Sequence, residues 1–321
     1  MRSTPMMAGM AIVGGALLSA GADAGAEVYP NRPIRIMATA PGGLTDVVAR
    51  LIAPGLTANL GQQVVVDNRN ALVTVEIAAK AAPDGYTLLM NGSAFWLLPL
   101  LRDNVTWDPL KDFVPITMAV TSPSILVVHP AVPVKSAAEL IALAKARPGQ
   151  LNYAAGTLGA TPHLAAELFK YMAGIDLVRI AYKGTGPAII ALIAGESQVS
   201  FPNAGSVMPH VRSGKLKALG VCSAKPSELA PGLPTVTSTG LPGYESVSPQ
   251  ALFAPAKMPA ALVSRLNAEV LRVMHSPETR ERLFNTGMEV VGSTPQELGA
   301  ALKSEMARMG KVIKAVGIRE E

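Results

Sequence analysis

The chain has 321 residues, room for one large domain or two of ordinary size at roughly 150 residues each. Charged residues are 16% and apolar ones 49%, which excludes disorder over most of the length, and one cysteine with four histidines excludes a disulfide scaffold or a Cys-rich metal module. The net charge of +5 comes from dispersed Lys and Arg, which gives solubility and a mild pull on small anions but no nucleic-acid-binding arm.

At the N-terminus Arg2 precedes an apolar stretch from Met6 to Leu18, shorter than the ~20 helical residues that cross a bilayer. Ala24 and Ala26 form an Ala-x-Ala motif, so residues 1–26 read as a signal peptide with the mature chain starting at Glu27; Ala22 with Ala24 is a second cleavage candidate. Short apolar runs then alternate with helix-period segments: strand 34–40, helix 46–60, strand 63–67, helix 73–81, strand 86–90. This βαβαβ order predicts a parallel sheet covered by helices. The rhythm returns as strand 125–128, helix 137–146, strand 151–154, helix 163–172, strand 177–181, helix 187–194 and strand 198–201. A short helix to 212 and strand 216–221 follow. After a Pro- and Gly-rich stretch from 226 to 243 come strand 251–254 and helices near 260–274, 278–285 and 295–315. Ser136 with Glu139, and Thr294 with Glu297, have capping-box spacing, and Pro295 suits a first helical position. Pro54 predicts a kink or interruption in the first helix.

No Gly-x-Ser-x-Gly elbow, phosphate-binding Gly-x-x-x-x-Gly-Lys or His-Glu-x-x-His occurs. Ser93 or Thr157 with His163 is the best available nucleophile and base, and nothing in their spacing supports an enzyme. His163 and Glu167, at i and i+4, lack a third candidate ligand, so no metal and no cofactor is expected. The informative signals are loops between strand and helix. Pro41, Gly42 and Gly43 lead straight into a helix, where bare amides and a positive helix end suit a carboxylate. Asp46 in that first turn either caps the helix or orients a ligand or water. The loop from Ala155 through Gly156, Thr157, Leu158, Gly159 and Ala160 to Thr161 offers amides and two hydroxyls. Tyr182 to Gly186 and the region of Asn203 end further strands. Ligands of open α/β sheets gather at such carboxyl ends.

The order Pro41, Gly42, Gly43, x, x, Asp46, then Pro83, Asp84, Gly85, Tyr86, then Asp108, Pro109, x, Lys111, Asp112, Phe113 resembles the receptors of tripartite tricarboxylate transporters, the Bug receptors. Further matches are His163, Leu164, Ala165 with Glu167, Leu168, Phe169, then Tyr182, Lys183, Gly184, Ser213 to Ala218, Pro234 to Val236, Gly240 to Tyr244 and Leu252 to Pro255. The likeness runs from about Tyr29 to Ile318. It implies a two-domain periplasmic binding protein fold of type II kind, each domain a mixed, mostly parallel sheet flanked by helices, joined by two crossing strands. Domain 1 would be 27–124 plus 249–321, and domain 2 would be 125–248. The implied function is capture of an organic acid in the interdomain cleft of a monomer and delivery to membrane transporter subunits; a sensor subunit with the same cleft is the alternative. The implied ligand-binding residues are Gly42, Gly43, Asp46, Ser93, Gly156, Thr157, Thr161, His163 and Asn203.

Departures from the family pattern bear on the ligand. Asn70, Ala71, Leu72, Val73, Thr74 and Val75 stand where a Gly-rich loop is usual, Thr39 where an aromatic residue is common, and Pro202 where Asp often precedes Asn203. Ala155 and Ala160 replace frequent hydroxyls. Phe95 and Trp96 follow Ser93 where smaller residues are usual, and either pack in the core or wall the pocket. The pocket reading disfavours a four-carbon dicarboxylate such as malate and favours a monocarboxylate, or a longer or aromatic acid.

Overall fold

The computed structural model describes Met1 and residues 29–156 and 158–319, so the signal-peptide segment with Ala24 and Ala26 lies outside the described residues, as does Thr157. The first elements are β1 (Ile34–Ala38), α1 (Leu44–Leu60), β2 (Val64–Asn68), α2 (Ala71–Ala79), β3 (Thr87–Gly92), α3 (Ser93–Leu101), β4 (Phe113–Pro123), β5 (Ile125–Val128), α4 (Ala137–Ala146), β6 (Asn152–Ala155) and α5 (Thr161–Ala173). They continue as β7 (Val178–Ala181), α6 (Thr185–Ala194), β8 (Val199–Ser200), α7 (Ala204–Arg212), β9 (Lys217–Val221), β10 (Val247–Pro255), α8 (Ala260–Met274), α9 (Pro277–Asn285), β11 (Glu289–Val290) and α10 (Pro295–Val316).

Two mixed sheets result, ordered β11-β4-β10-β3-β1-β2 and β7-β6-β8-β5-β9. Helical crossovers make β1 parallel to β2 and β3, and β6 parallel to β7 and β8; the strands that pass between the sheets pair antiparallel. Alternation along β1 divides its neighbours. Ile34, Ile36 and Ala38 face α1 and α8, whereas Met37 faces the side of α3 and α10. The sheets exchange chain twice: β4 continues through Ser124 into β5, and residues 246–249 return. Ser124 N–H donates to Ser246 O at 3.2 Å, Ser246 N–H to Cys222 O at 2.8 Å and Cys222 N–H to Ser124 O at 2.8 Å.

The expected elements are present within a few residues, and three had no sequence counterpart: α3, β4 and β11. Helix α1 runs uninterrupted through Pro54, because Ile52, Ala53 and Leu56 stay buried on either side of the one missing amide. Thr294 and Glu297 form a complete capping box at α10. At α4 only half of one forms: Ser136 accepts from the Glu139 amide, while the Glu139 carboxylate takes the Lys135 amide instead.

The aromatic-wall expectation is overturned. Phe95 and Trp96 are 2% and 1% exposed and belong to α3, which turns them into the core. The Phe95 ring lies 4.8 Å from Phe113 and 5.0 Å from Phe253, edge to face, and Trp96 Nε1–H donates to Glu305 Oε2 at 3.0 Å across to α10. Residues 70–75 likewise build no wall. Asn70 caps α2 by accepting from Leu72 N at 3.1 Å, Val75 is buried, Leu72 packs on the core and Val73 points outward. Neither segment therefore offers an apolar wall that would favour an apolar or aromatic acid. Trp96→Ala is expected to lower the unfolding free energy by about 3–5 kcal/mol in urea denaturation, through the cavity left beside Phe253 and the orphaned Glu305.

Candidate functional site

Between β1 and α1 the chain turns through Gly42, whose φ of +79° is a left-handed conformation that strains any larger residue. The turn is held from beneath by Asp46. Asp46 Oδ2 accepts the Gly42 N–H at 2.9 Å, and Oδ1 accepts Arg50 Nε and Asn68 Nδ2, each at 2.8 Å. Asn68 Nδ2 also donates to Thr39 O at 2.6 Å. Burial at 3% exposure opposes ionisation of Asp46, but the Gly42 amide, Asn68 and Arg50 outweigh it and hold the carboxyl below its usual range. Gly43 has extended angles (φ −72°) and precedes the helix without a side-chain cap. The amides of Leu44, Thr45 and Asp46 have no acceptor among the described residues, so the first turn of α1 presents free N–H groups at its positive end.

The second sheet repeats this arrangement at the carboxyl ends of β6, β7 and β8. Gly156 follows β6, and a Cβ there would stand 2.8 Å from the carbonyl carbon of Gly184, so the loops opening α5 and α6 touch backbone to backbone. The amides of Gly184, Thr185 and Gly186 have no acceptor among the described residues. His163, in the first turn of α5, is 2% exposed and accepts the Gly159 N–H on Nδ1 at 3.1 Å. Burial first, then the Arg179 charge, pushes its pKa down to about 4, so the ring is neutral. Glu167 is occupied by Tyr153 Oη at 2.5 Å and Lys170 Nζ at 3.1 Å. One polar atom of each member of the i, i+4 pair, His163 Nδ1 and Glu167 Oε1, is therefore spent on the protein.

Ser248 on β10 joins the halves: its Oγ donates to Thr161 Oγ1 at 2.8 Å and lies 3.3 Å from Asn203 Nδ2. Asn203 precedes α7 and forms a β-bridge with Ser124. Thr161 and Asn203 are thus brought together by Ser248, a residue the sequence reading missed. Ser93 and Thr161 also line a cavity of about 640 Å³ with Lys225, Glu305 and Arg308; Gly42, Gly43, Asp46, Gly156, His163 and Asn203 do not line it. Asn68, the last residue of β2, was missed as well.

Residues 48–318 match the family model described as the tripartite tricarboxylate transporter family receptor, TctC. The chain belongs to this receptor family. It is 34% identical over 321 residues to the protein BugT of Bordetella pertussis, covering 97% of this chain and 98% of that one. Among solved structures it resembles Rpa4515 of R. palustris with adipate, at 33% identity and a TM-score of 0.75, covering 91% and 99%. It also resembles MatC of Rhodopseudomonas palustris with bound malate, at 29% identity and a TM-score of 0.70, covering 89% and 100%. Receptors of this family are periplasmic solute-binding proteins, not enzymes. Among the described residues no helix is long and apolar enough to cross a membrane.

The buried His163 makes this receptor's stability pH-dependent. Its folded pKa lies below the unfolded value near 6.5, so the unfolded chain binds more protons between the two, and stability present above pH 6.5 is lost as pH falls toward about 4. In chemical denaturation, the pH slope of wild type over that window should exceed that of His163→Gln by about 1 kcal/mol per unit.

Proposed function

We propose that this receptor captures an organic acid between two domains, 27–124 plus 249–321 and 125–248, and delivers it as a monomer to the membrane subunits of a tripartite transporter. The observation that carries the reading is the set of amides at the N-termini of α1 and α6 without an acceptor among the described residues, at the carboxyl ends of strands from both sheets. Such donors receive a carboxylate without the cost of burying an unpaired charge. In this reading Gly42 and Gly43 supply backbone on one side, Gly156, Thr157, Thr161 and Asn203 supply it with hydroxyls and an amide on the other, and Ser93 stands at the junction. Asp46 and His163 act through their loops, one by fixing the Gly42 amide and the other by fixing that of Gly159. Closure turns about the crossing chains at Ser124 and Ser248. The acids named for the similar structures, adipate and malate, make aliphatic dicarboxylates the first compounds to test.

Titration calorimetry against malate, succinate, adipate, hexanoate and benzoate is expected to find at least one micromolar ligand. Gly43→Leu, whose backbone angles any residue adopts, should weaken it about tenfold with an unchanged circular dichroism spectrum. Absence of binding by all five acids overturns the reading, and full affinity in the variant removes the first loop from the site. Residues 1–26 we propose to be removed on export; N-terminal sequencing of the periplasmic fraction is expected to begin at or within a few residues of Glu27, and an intact Met1 form as sole product overturns this.

A further inference from the structure

Arg179 lies on β7 beside Tyr153 of β6, and both side chains share the α5 face of the second sheet. Its guanidinium does not stay at that level. It extends toward the carboxyl end of the strands, where one Nη donates to the Gly156 carbonyl at 2.8 Å. The charge thus stands directly behind the loop that leads into α5, next to the free amides of α6 that Gly156 adjoins. No carboxylate answers it: none of the ion pairs among the described residues includes Arg179. Glu167, in the same cluster, is already bonded by Lys170 and Tyr153. The Arg179 Nε–H is buried and has no acceptor among the described residues. His163, also in this cluster, carries no charge at neutral pH. The cluster of His163, Glu167, Lys170 and Arg179 therefore leaves one uncompensated positive charge, partly shielded from water, at the edge of the sheet where a ligand would sit.

We propose that Arg179 is a specificity-determining residue, whose charge selects ligands carrying a second carboxylate over monocarboxylates of equal length. The inference rests on the organic-acid reading above and adds to it a basis for charge discrimination. Helix-end amides bind one carboxylate as well as another, so they set affinity for any acid. A full charge in a partly desolvated setting distinguishes a dianion from a monoanion, because the attraction grows with the ligand's charge and is only partly screened. The Gly156 carbonyl fixes the guanidinium so that little ordering is needed when the ligand arrives.

The test pairs adipate with hexanoate, which differ by one carboxylate. Arg179→Gln removes the charge and keeps an N–H donor for the Gly156 carbonyl; Arg179→Lys keeps the charge. By titration calorimetry at low salt, Arg179→Gln is expected to lower the adipate-to-hexanoate affinity ratio about tenfold, and Arg179→Lys to restore most of it. In the wild type, adipate affinity should fall more steeply with added salt than hexanoate affinity, a comparison that needs no variant to fold. An unchanged ratio in Arg179→Gln, an equal loss for both acids, equal salt slopes, or a wild type that binds hexanoate but not adipate each overturns the role of Arg179 and leaves the organic-acid reading standing. A wild type that binds no acid overturns both.

Discussion

Four chain segments meet where the two sheets exchange strands, and backbone hydrogen bonds hold them in one arrangement. Ser124, Cys222 and Ser246 bond in a ring of amide-to-carbonyl contacts, while β10 lies between β3 and β4. Everything that faces the junction inherits its position from this ladder. Gly92 ends β3 beside Gln250 of β10 and Ser93 opens α3, and Ser248 reaches Thr161 and Asn203 of the other half. A loop that departs from either sheet can be varied in sequence without disturbing the opposite one, because the ladder and not the loops ties the two sheets together. Backbone pairing of this kind is sequence-tolerant, which suits a family in which this chain shares about a third of its residues with relatives of nearly the same length.

The parallel halves of both sheets were legible in the sequence because each strand there is a short apolar run separated from a helix-period segment by glycine or proline. The Ile34 to Ala38 run and the α1 positions Val48, Ile52 and Leu56 could hardly be read otherwise. β4 escaped notice since Pro115, Thr117, Thr121 and Pro123 interrupt its apolar pattern; it is a strand because β10 and β11 pair with it, a non-local cause. α3 was hidden by the opposite fault. Its sequence, with Pro99 inside, is apolar on all sides and shows no period, as expected of a helix wedged between a sheet and α10. For the same reason Phe95 and Trp96 offered no way to tell wall from core: a uniformly apolar run does not reveal which side faces a cavity.

The loops of the candidate site were legible through Gly42, Gly43, Gly156 and their place after strands. What supports them was not. Asn68 and Arg50 converge on Asp46 from 22 and 4 positions away, and Arg179 reaches Gly156 from 23. Such partners lie on strands and helices chosen by topology, so no spacing rule in the sequence announces them. The carboxylate of Asp46 shows the consequence most directly. A reading of local chemistry left it divided between a cap and a ligand contact, whereas in three dimensions its oxygens are used to fix the backbone of the preceding turn.

The placement of β10 also governs the order in which the molecule can assemble. The strand fills the gap between β3 and β4, yet it is separated from them in sequence by the entire second sheet, on the order of 120 residues of intervening chain. Until it arrives, β3 and β4 both present open edges with unpaired amides and carbonyls, and the pocket for α3 lacks the Phe253 ring that lies 5.0 Å from Phe95. The second sheet, built wholly from residues between Ile125 and Val221, suffers no such delay. The chain therefore completes its middle before its beginning, and the half that starts first is the one exposed longest to edge-to-edge aggregation.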